Sequence, residues 1–551
     1  MGGGAVRIAV AGECGADDDQ LRLALNAVGQ GWWGLLTEWP GSYWVIAENG
    51  AHRFVCGDLS GMRDLVYAVR GGEVWWATDA HRLAASLGAA PDLEVLTARL
   101  TAGGQHWSAH TAFGGVRRVP GGYGLLLRGP VPELIDVRRV QPAEHPGAAA
   151  EVFGQQLTAA IRNRVRDAHG RVGADLSGGV DSSTAVLLAA EAGQVTAVTY
   201  TDGFTSKEDA VYAARVAKIA RVPHHVARGG EAQLPFDFSS PIPPGDEPSA
   251  GAANYTLDAC YQAPAVGLPC HLTGHGGDVV LDGSSASWVA QYQRGHRREA
   301  HRQVVAWARL RNQAPGMVWR AVQNSARLGH QGSLLAAASA LEAGPVTPTA
   351  SGSWSWCKLG TAASWLTDQG RDAVAALLRS AATTVPDEPA DEFDQWSALR
   401  SVGADARAEE PMSHSLGIRP THPFIDNRVV RAAFAVPPSE RRGAAVYKPL
   451  LRAALPTLPE WLTDRRSKGS FTTQRIAGLA LHHAALHSLI LDSPLVKTGL
   501  IDGTAAVQTL NRAARGQSAL GLAELHQLLV TCWWLGAVER PTIAEPRESA
   551  C

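Results

Sequence analysis

Hydrophobic and polar positions change their rhythm part-way along the chain. From residue 5 to about 140 the apolar residues come in short runs. Trp44-Val45-Ile46-Ala47, Arg53-Phe54-Val55-Cys56 and Glu73-Val74-Trp75-Trp76-Ala77 are separated by Gly, Asn and Asp, the punctuation of a β-rich region. Two stretches there carry helical spacing, 20–28 and 80–87. Residues 135–150, with Pro142, His145, Pro146 and Gly147, predict a linker. Beyond it, 152–166 repeats apolar residues at helical spacing. A short apolar run then leads through a glycine turn into a helix over 184–192, a strand over 195–200, a helix over 210–220 and a further segment at 222–226. Strands alternating with helices predict a parallel, doubly wound sheet, and such sheets bind ligands at the C-terminal ends of their strands. Residues 285–400 predict mostly packed helix, with Ala and Leu at helical spacing over 334–343.

Length and composition narrow the class. At 551 residues the chain exceeds one ordinary core, so two or three domains are expected. Fifty Lys and Arg nearly balance 52 Asp and Glu, which gives no global attraction to nucleic acid or to an acidic membrane surface. No charge-free run is long enough for a membrane span. Seven scattered cysteines without a CxxC pair predict reduced thiols, no zinc site and a cytoplasmic location.

The chemistry concentrates in two glycine turns. The first is Ala174-Asp175-Leu176-Ser177-Gly178-Gly179-Val180-Asp181-Ser182-Ser183. A strand, a tight turn and a helix N-terminus make an anion site, because backbone N–H groups converge there and the helix dipole adds partial positive charge. Gly178 and Gly179 permit the turn and a close approach to a ligand. Ser177, Ser182 and Ser183 add hydroxyl donors. Asp181 repels phosphate unless it holds Mg²⁺, a hard cation that bridges phosphates. The Gly-Lys-Ser/Thr ending of a Walker A loop is absent. The second turn, Thr273-Gly274-His275-Gly276-Gly277-Asp278, supplies the partner carboxylate. Asp181 and Asp278 are therefore expected to share the metal, and Thr201 and Asp202, after the next strand, to face the same cleft as Ser177. A basic turn, Arg465-Arg466-Ser467-Lys468-Gly469, offers charge for pyrophosphate release and for an adenylate transition state. Glu208 and Asp209 read equally well as plain helix N-terminal charges. Asp246 and Glu247 lie on a proline-rich loop, and the Trp-rich stretch 351–358 lines a groove or packs in a core.

The first turn resembles the pyrophosphate loop of the ATP pyrophosphatases. The order Ser-Gly-Gly-Val-Asp-Ser-Ser, Thr-Gly-His-Gly-Gly-Asp, His422-Pro423-Phe424-Ile425-Asp426 and Lys468-Gly469-Ser470-Phe471 resembles the asparagine synthetase superfamily over nearly the whole chain. Gly57-Asp58-Leu59-Ser60-Gly61, Trp76-Ala77-Thr78-Asp79 and Gly115-Val116-Arg117-Arg118-Val119-Pro120-Gly121-Gly122 resemble its N-terminal glutaminase-type domain. The resemblance implies two domains. Residues 1–140 would be an α+β Ntn-type sandwich. Residues 141–551 would be an α/β synthetase domain of the adenine-nucleotide α-hydrolase (ATP pyrophosphatase) type with a helical C-terminal part. Active glutaminases of this kind use an N-terminal cysteine with its own amine as base. Gly2 stands there, so the domain is expected to be degenerate.

That departure turns the resemblance toward branches that do not use glutamine, the lasso peptide macrocyclases first and the β-lactam synthetases next. Lys468-Gly469-Ser470-Phe471-Thr472-Thr473 and Ala363-Ser364-Trp365-Leu366-Thr367 look most like the former. The implied reaction uses ATP and Mg²⁺ to adenylate an Asp or Glu side chain of a leader-cleaved core peptide. The peptide's N-terminal amine then closes an isopeptide ring. Leu176, Ser177, Gly178, Gly179, Asp181, Ser182, Ser183, Thr201 and Gly274 would bind the nucleotide. Asp181 and Asp278 would hold the metal, and Lys468 would neutralise developing charge. The base stays open among His275, Glu409 and Glu410. A leader peptidase and a leader-binding protein are the implied partners. Asparagine or β-lactam formation on a small molecule is the alternative.

Overall fold

The computed structural model describes residues 6–50, 52–129, 131–241, 245–347, 354–442, 446–465 and 469–538. Gly2 and Lys468 lie outside the described residues.

The N-terminal part is built on eight strands: β1 (Arg7–Cys14), β2 (Gly41–Glu48), β3 (Arg53–Cys56), β4 (Val66–Arg70), β5 (Glu73–Ala77), β6 (Arg117–Arg118), β7 (Tyr123–Leu127) and β8 (Glu133–Asp136). One antiparallel sheet runs β1-β2-β3-β7-β8 and a second runs β5-β4-β6. Alternation explains the two layers. Tyr43, Val45 and Ala47 of β2 point to a core with Trp33, Leu36 and Phe54. Ile46, Val55 and Leu125 point the other way, toward Leu65, Tyr67 and Trp76 of the second sheet. Helices α1 (Asp18–Gly29) and α2 (Ala80–Leu87) match the helical spacing read from the sequence, and α1 starts on a capping box from Asp17 and Gln20. Helix α3 (Leu93–Ala102) was not anticipated. Buried on most of its surface, it lacks a polar face and so lacks the amphipathic signature.

The expected linker is shorter than 135–150, because β8 extends to Asp136 and Pro146 already opens α4 (Pro146–Asp167). The second part alternates β9 (Arg171–Asp175), α5 (Val180–Ala190), β10 (Gln194–Thr201), α6 (Lys207–Ala220) and β11 (His224–Arg228). After α7 (Tyr255–Gln262) come β12 (His271–Leu272) and α8 (Gly277–Leu281). Helices α9 (Ala286–Gln293), α10 (Arg297–Leu310), α11 (Pro315–Glu342), α12 (Asp368–Ala382) and α13 (Ala390–Ser415) precede the last strand, β13 (Pro420–Thr421). The five strands form one parallel sheet, β11-β10-β9-β12-β13. Its near-continuous apolar strands are covered by α4, α5 and α6 in the largest core.

Helix α13 joins the two parts. Arg407 donates to the Gly61 carbonyl at 2.8 Å, Arg400 donates to the Gly121 carbonyl at 3.0 Å, and Arg63 pairs with Glu410 at 3.3 Å. The Gly-Asp-Leu-Ser-Gly phrase is thus a docking loop against this helix. At Gly403 an added Cβ would lie 2.2 Å from the Ser60 carbonyl oxygen. Gly403→Ala should therefore lower the thermal unfolding midpoint by several degrees, although Ala in an exposed helix interior would gain about 1 kcal/mol. A midpoint that rose would show the contact to be slack.

Candidate active site

A cavity of about 680 Å³ opens where β9, β10 and β12 end. The turn after β9 forms its floor. Ser177 Oγ and Ser182 Oγ lie 3.0 Å apart, and the Ser177 N–H donates to Ser182 Oγ at 3.2 Å, so the loop is held by its own hydroxyls. Gly178 takes φ 76°, and a Cβ there would fall 2.3 Å from the Asp209 carbonyl oxygen. At Gly277 a Cβ would meet the Asp181 carboxyl at 2.4 Å. The two glycine turns therefore pack directly on one another, which brings Asp181 and Asp278 together.

Between these carboxylates lies Lys448. Its Nζ donates to Asp181 Oδ2 at 2.5 Å and to Oδ1 at 2.6 Å, and sits 2.7 Å from Asp278 Oδ1. Tyr447 Oη donates to Asp278 Oδ1 at 3.2 Å. Burial opposes the lysine's charge, but the two carboxylates outweigh it and hold the ammonium above the usual lysine range. Lys448 also adopts a left-handed backbone, φ 48°. For a non-glycine residue that costs on the order of 1–3 kcal/mol and marks a position held by its surroundings.

The basic turn is fastened to the same wall. Arg465 donates to the Gly178 carbonyl at 2.6 Å and pairs with Asp209. The Gly469 N–H donates to Asp209 Oδ2 at 3.1 Å. Asp209 is thus an anchor for both ends of that turn, and more than a helix-terminal charge. Gly469, Ser470 and Phe471 line the cavity.

The rest of the lining is acidic and aromatic. Asp175 accepts from His271 Nε2 at 2.7 Å. Tyr261, His275 and Glu409 line the space beside them. His275 Nε2 lies 3.0 Å from the Val402 carbonyl, which can only accept, so this nitrogen carries the proton and Nδ1 is the basic one in the neutral ring. Burial pushes the Glu409 carboxyl up to about 7; His275 pulls the other way, and Asp405 and Asp175 add to the rise. Behind them, burial holds Asp258 well above the usual carboxylate range, with Glu409 and Asp175 contributing.

A family model for asparagine synthase matches residues 153–535. The chain belongs to the asparagine synthase family. Such enzymes are ATP-dependent amide ligases, and ATP-dependent ligation is the activity of this chain at that level. No curated protein matches the chain in sequence. Among the described residues, no helix is long and apolar enough to cross a membrane.

Eight of the residues expected from the sequence line the cavity at the strand ends: Leu176, Ser177, Gly179, Asp181, Ser182, Gly274, His275 and Asp278. Three expected nucleotide contacts do not. Gly178 sits under the loop against α6, Ser183 is fully buried inside α5, and Thr201 lies beyond the strand segment that faces the cavity, its Oγ1 3.5 Å from the Ala227 carbonyl. Thr199 and Tyr200 take that place instead. Asp202 is turned to Gln474 Nε2 at 2.6 Å and to Tyr200 Oη at 3.0 Å. Lys448 was missed. Tyr-Lys-Pro carries no local signature, and only the fold sets it between two turns far away in sequence.

Proposed function

We propose that this enzyme closes a macrolactam in a lasso-type peptide by adenylating an Asp or Glu side chain. The observation that carries the reading is one cavity that gathers two sets of groups. A glycine-serine loop and a lysine between two carboxylates form the first. Glu409, whose carboxyl burial pushes up to about 7, and His275 form the second.

The loop N–H groups and Ser177 and Ser182 cradle pyrophosphate. A peptide carboxylate oxygen attacks the α-phosphorus, the bond to the β-phosphate oxygen breaks, and pyrophosphate leaves. Lys448 holds Asp181 and Asp278 together, and Lys468, by its place in the basic turn, neutralises charge on the departing group. Asp181 and Asp278 would hold Mg²⁺. The donor set fits, since two carboxylates converge on one cationic nitrogen and nucleotide oxygens complete the shell that such an ion prefers. When bound, the ion would draw charge from the phosphates.

In the second half-reaction the peptide's own N-terminal amine attacks the acyl carbon. The C–N bond forms, the bond to the AMP oxygen breaks, and the amine proton passes to Glu409 or to His275 Nδ1. Glu410 is unsuited to this, because it is tied to Arg63. An amine already on the substrate removes the need for glutamine. In keeping with that, Cys56 is fully buried and its thiol is pushed up to about 12, and burial also raises that of Cys14.

The purified chain, given ATP, Mg²⁺ and a linear lasso core peptide, should release AMP and yield a product one water lighter by mass spectrometry. AMP release with aspartate and ammonia, and none with peptide, would sink the reading in favour of a small-molecule amide ligase.

A further inference from the structure

A second cavity, of about 600 Å³, lies between the N-terminal part and α13. Its aromatic wall is Trp107, Trp356 and Phe393. One stretch of α13 separates it from the nucleotide cavity. Ser401, Ala404 and Asp405 face the second cavity, whereas Val402 and Glu409 face the first. The side chains of Ser401 and Asp405 are exposed.

Charges around this cavity are mostly paired. Arg118 bonds Asp64 at 3.0 Å and Glu247 at 2.7 Å, and Arg99 bonds Glu247 at 3.2 Å. Arg407 stands 3.7 Å from Asp64. Arg400 differs. Its Nε donates to a backbone carbonyl, its guanidinium lies over Tyr123 at 5.6 Å, and its Nη2 has no hydrogen-bond partner among the described residues. No carboxylate among the described residues forms an ion pair with it. Glu388 and Asp136 act on it only from beyond ion-pair distance, and an enclosed guanidinium without a directly paired carboxylate gains from an anion. Burial and the neighbouring Arg138 push this group down to about 10, against an opposing pull from Tyr123, Glu388 and Asp136.

A helix is about 10–12 Å across with its side chains. An extended peptide covers about 3.3–3.6 Å per residue, so roughly three residues pass from one side of α13 to the other. We propose that the second cavity holds the non-reacting segment of the peptide substrate, with a carboxylate of that segment paired to Arg400 and its apolar side chains against Trp107, Trp356 and Phe393. The inference rests on the peptide reading above and adds where the rest of the peptide lies.

Steady-state cyclisation of a linear lasso core peptide tests it with the full chain. Arg400→Gln should raise the peptide KM tenfold or more while leaving the KM for ATP and kcat near the parent values, and Arg400→Lys should recover most of the loss. Ser401→Trp, which fills the cavity from α13, should raise the same KM. Unfolding midpoints and ATP binding serve as checks on folding. A C-terminally amidated peptide and one with its tail Asp or Glu changed to Asn or Gln identify the carboxylate. The peptide that has lost the paired carboxylate should be insensitive to Arg400→Gln. Unchanged peptide KM in both Arg400→Gln and Ser401→Trp, with cyclisation intact, overturns the inference alone. No turnover of peptide by the parent enzyme overturns the peptide reading, and this inference with it.

Discussion

Lys448→Met should lower the rate of AMP formation by about 10²–10³-fold, the scale on which loss of one preorganised electrostatic contact in an enclosed site is felt. The geometry gives the reason. One ammonium holds two carboxylates from separate glycine turns within 2.7 Å. Methionine keeps the unbranched chain up to the position of Cε and removes the charge, so the two acids repel one another and the turns lose their common tie. Lys448→Arg should not restore the rate. A planar guanidinium does not replace a compact ammonium enclosed between two carboxylates on a left-handed backbone. Quenched-flow measurement of AMP, alongside equilibrium ATP binding, separates the outcomes. A variant that forms AMP at the parent rate would show that the lysine only packs.

The contrast between what could and could not be read from the sequence follows from range. The turns at Ser177–Ser183 and Gly274–Asp278 carry their chemistry locally, as glycines for the bend, hydroxyls and N–H groups for an anion, and a carboxylate out of place among them. The alternation of strands and helices placed them at the ends of a parallel sheet, and the sheet has that form. Lys448 has no such neighbourhood. Its meaning arises only when Asp181 and Asp278, 267 and 170 positions away, come to meet it. Ser183 is hidden inside α5 for the opposite reason. The fourth residue of a helix opening on Val180 turns inward, and the motif spelling hides that periodicity. Glu409 and Glu410 were indistinguishable neighbours in the sequence. On α13 they point about 100° apart, one to the cavity and one to Arg63.

The N-terminal part also has a structural task beside the cavities. Its docking loop grips α13 at Gly403, Arg407 and Glu410, on either side of the residues that face the two cavities. The helix it braces carries the candidate base.

Glu409→Gln therefore stands as the sharpest test of that base. Amide formation should fall by about 10²–10⁴-fold, the usual contribution of a general base. Adenylation should survive, because the glutamine keeps the size of the side chain and leaves the loop at 177–183 unaltered. Pyrophosphate exchange into ATP, dependent on peptide, would then persist while ring closure stalls. The parent's ring-closure rate should rise as pH increases through about 7, where Glu409 ionises, and Glu409→Gln should flatten that limb. The linkage to stability has the reverse sense. A folded pKa raised from 4.5 to about 7 means that the folded state binds more protons than the unfolded chain between those values. That part of the stability is fully present below pH 4.5 and is lost as pH rises through about 7, so the site ionises its base at the expense of the fold. Equal loss of exchange and ring closure in Glu409→Gln would assign this carboxylate to the adenylation step and leave His275 Nδ1 as the proton acceptor.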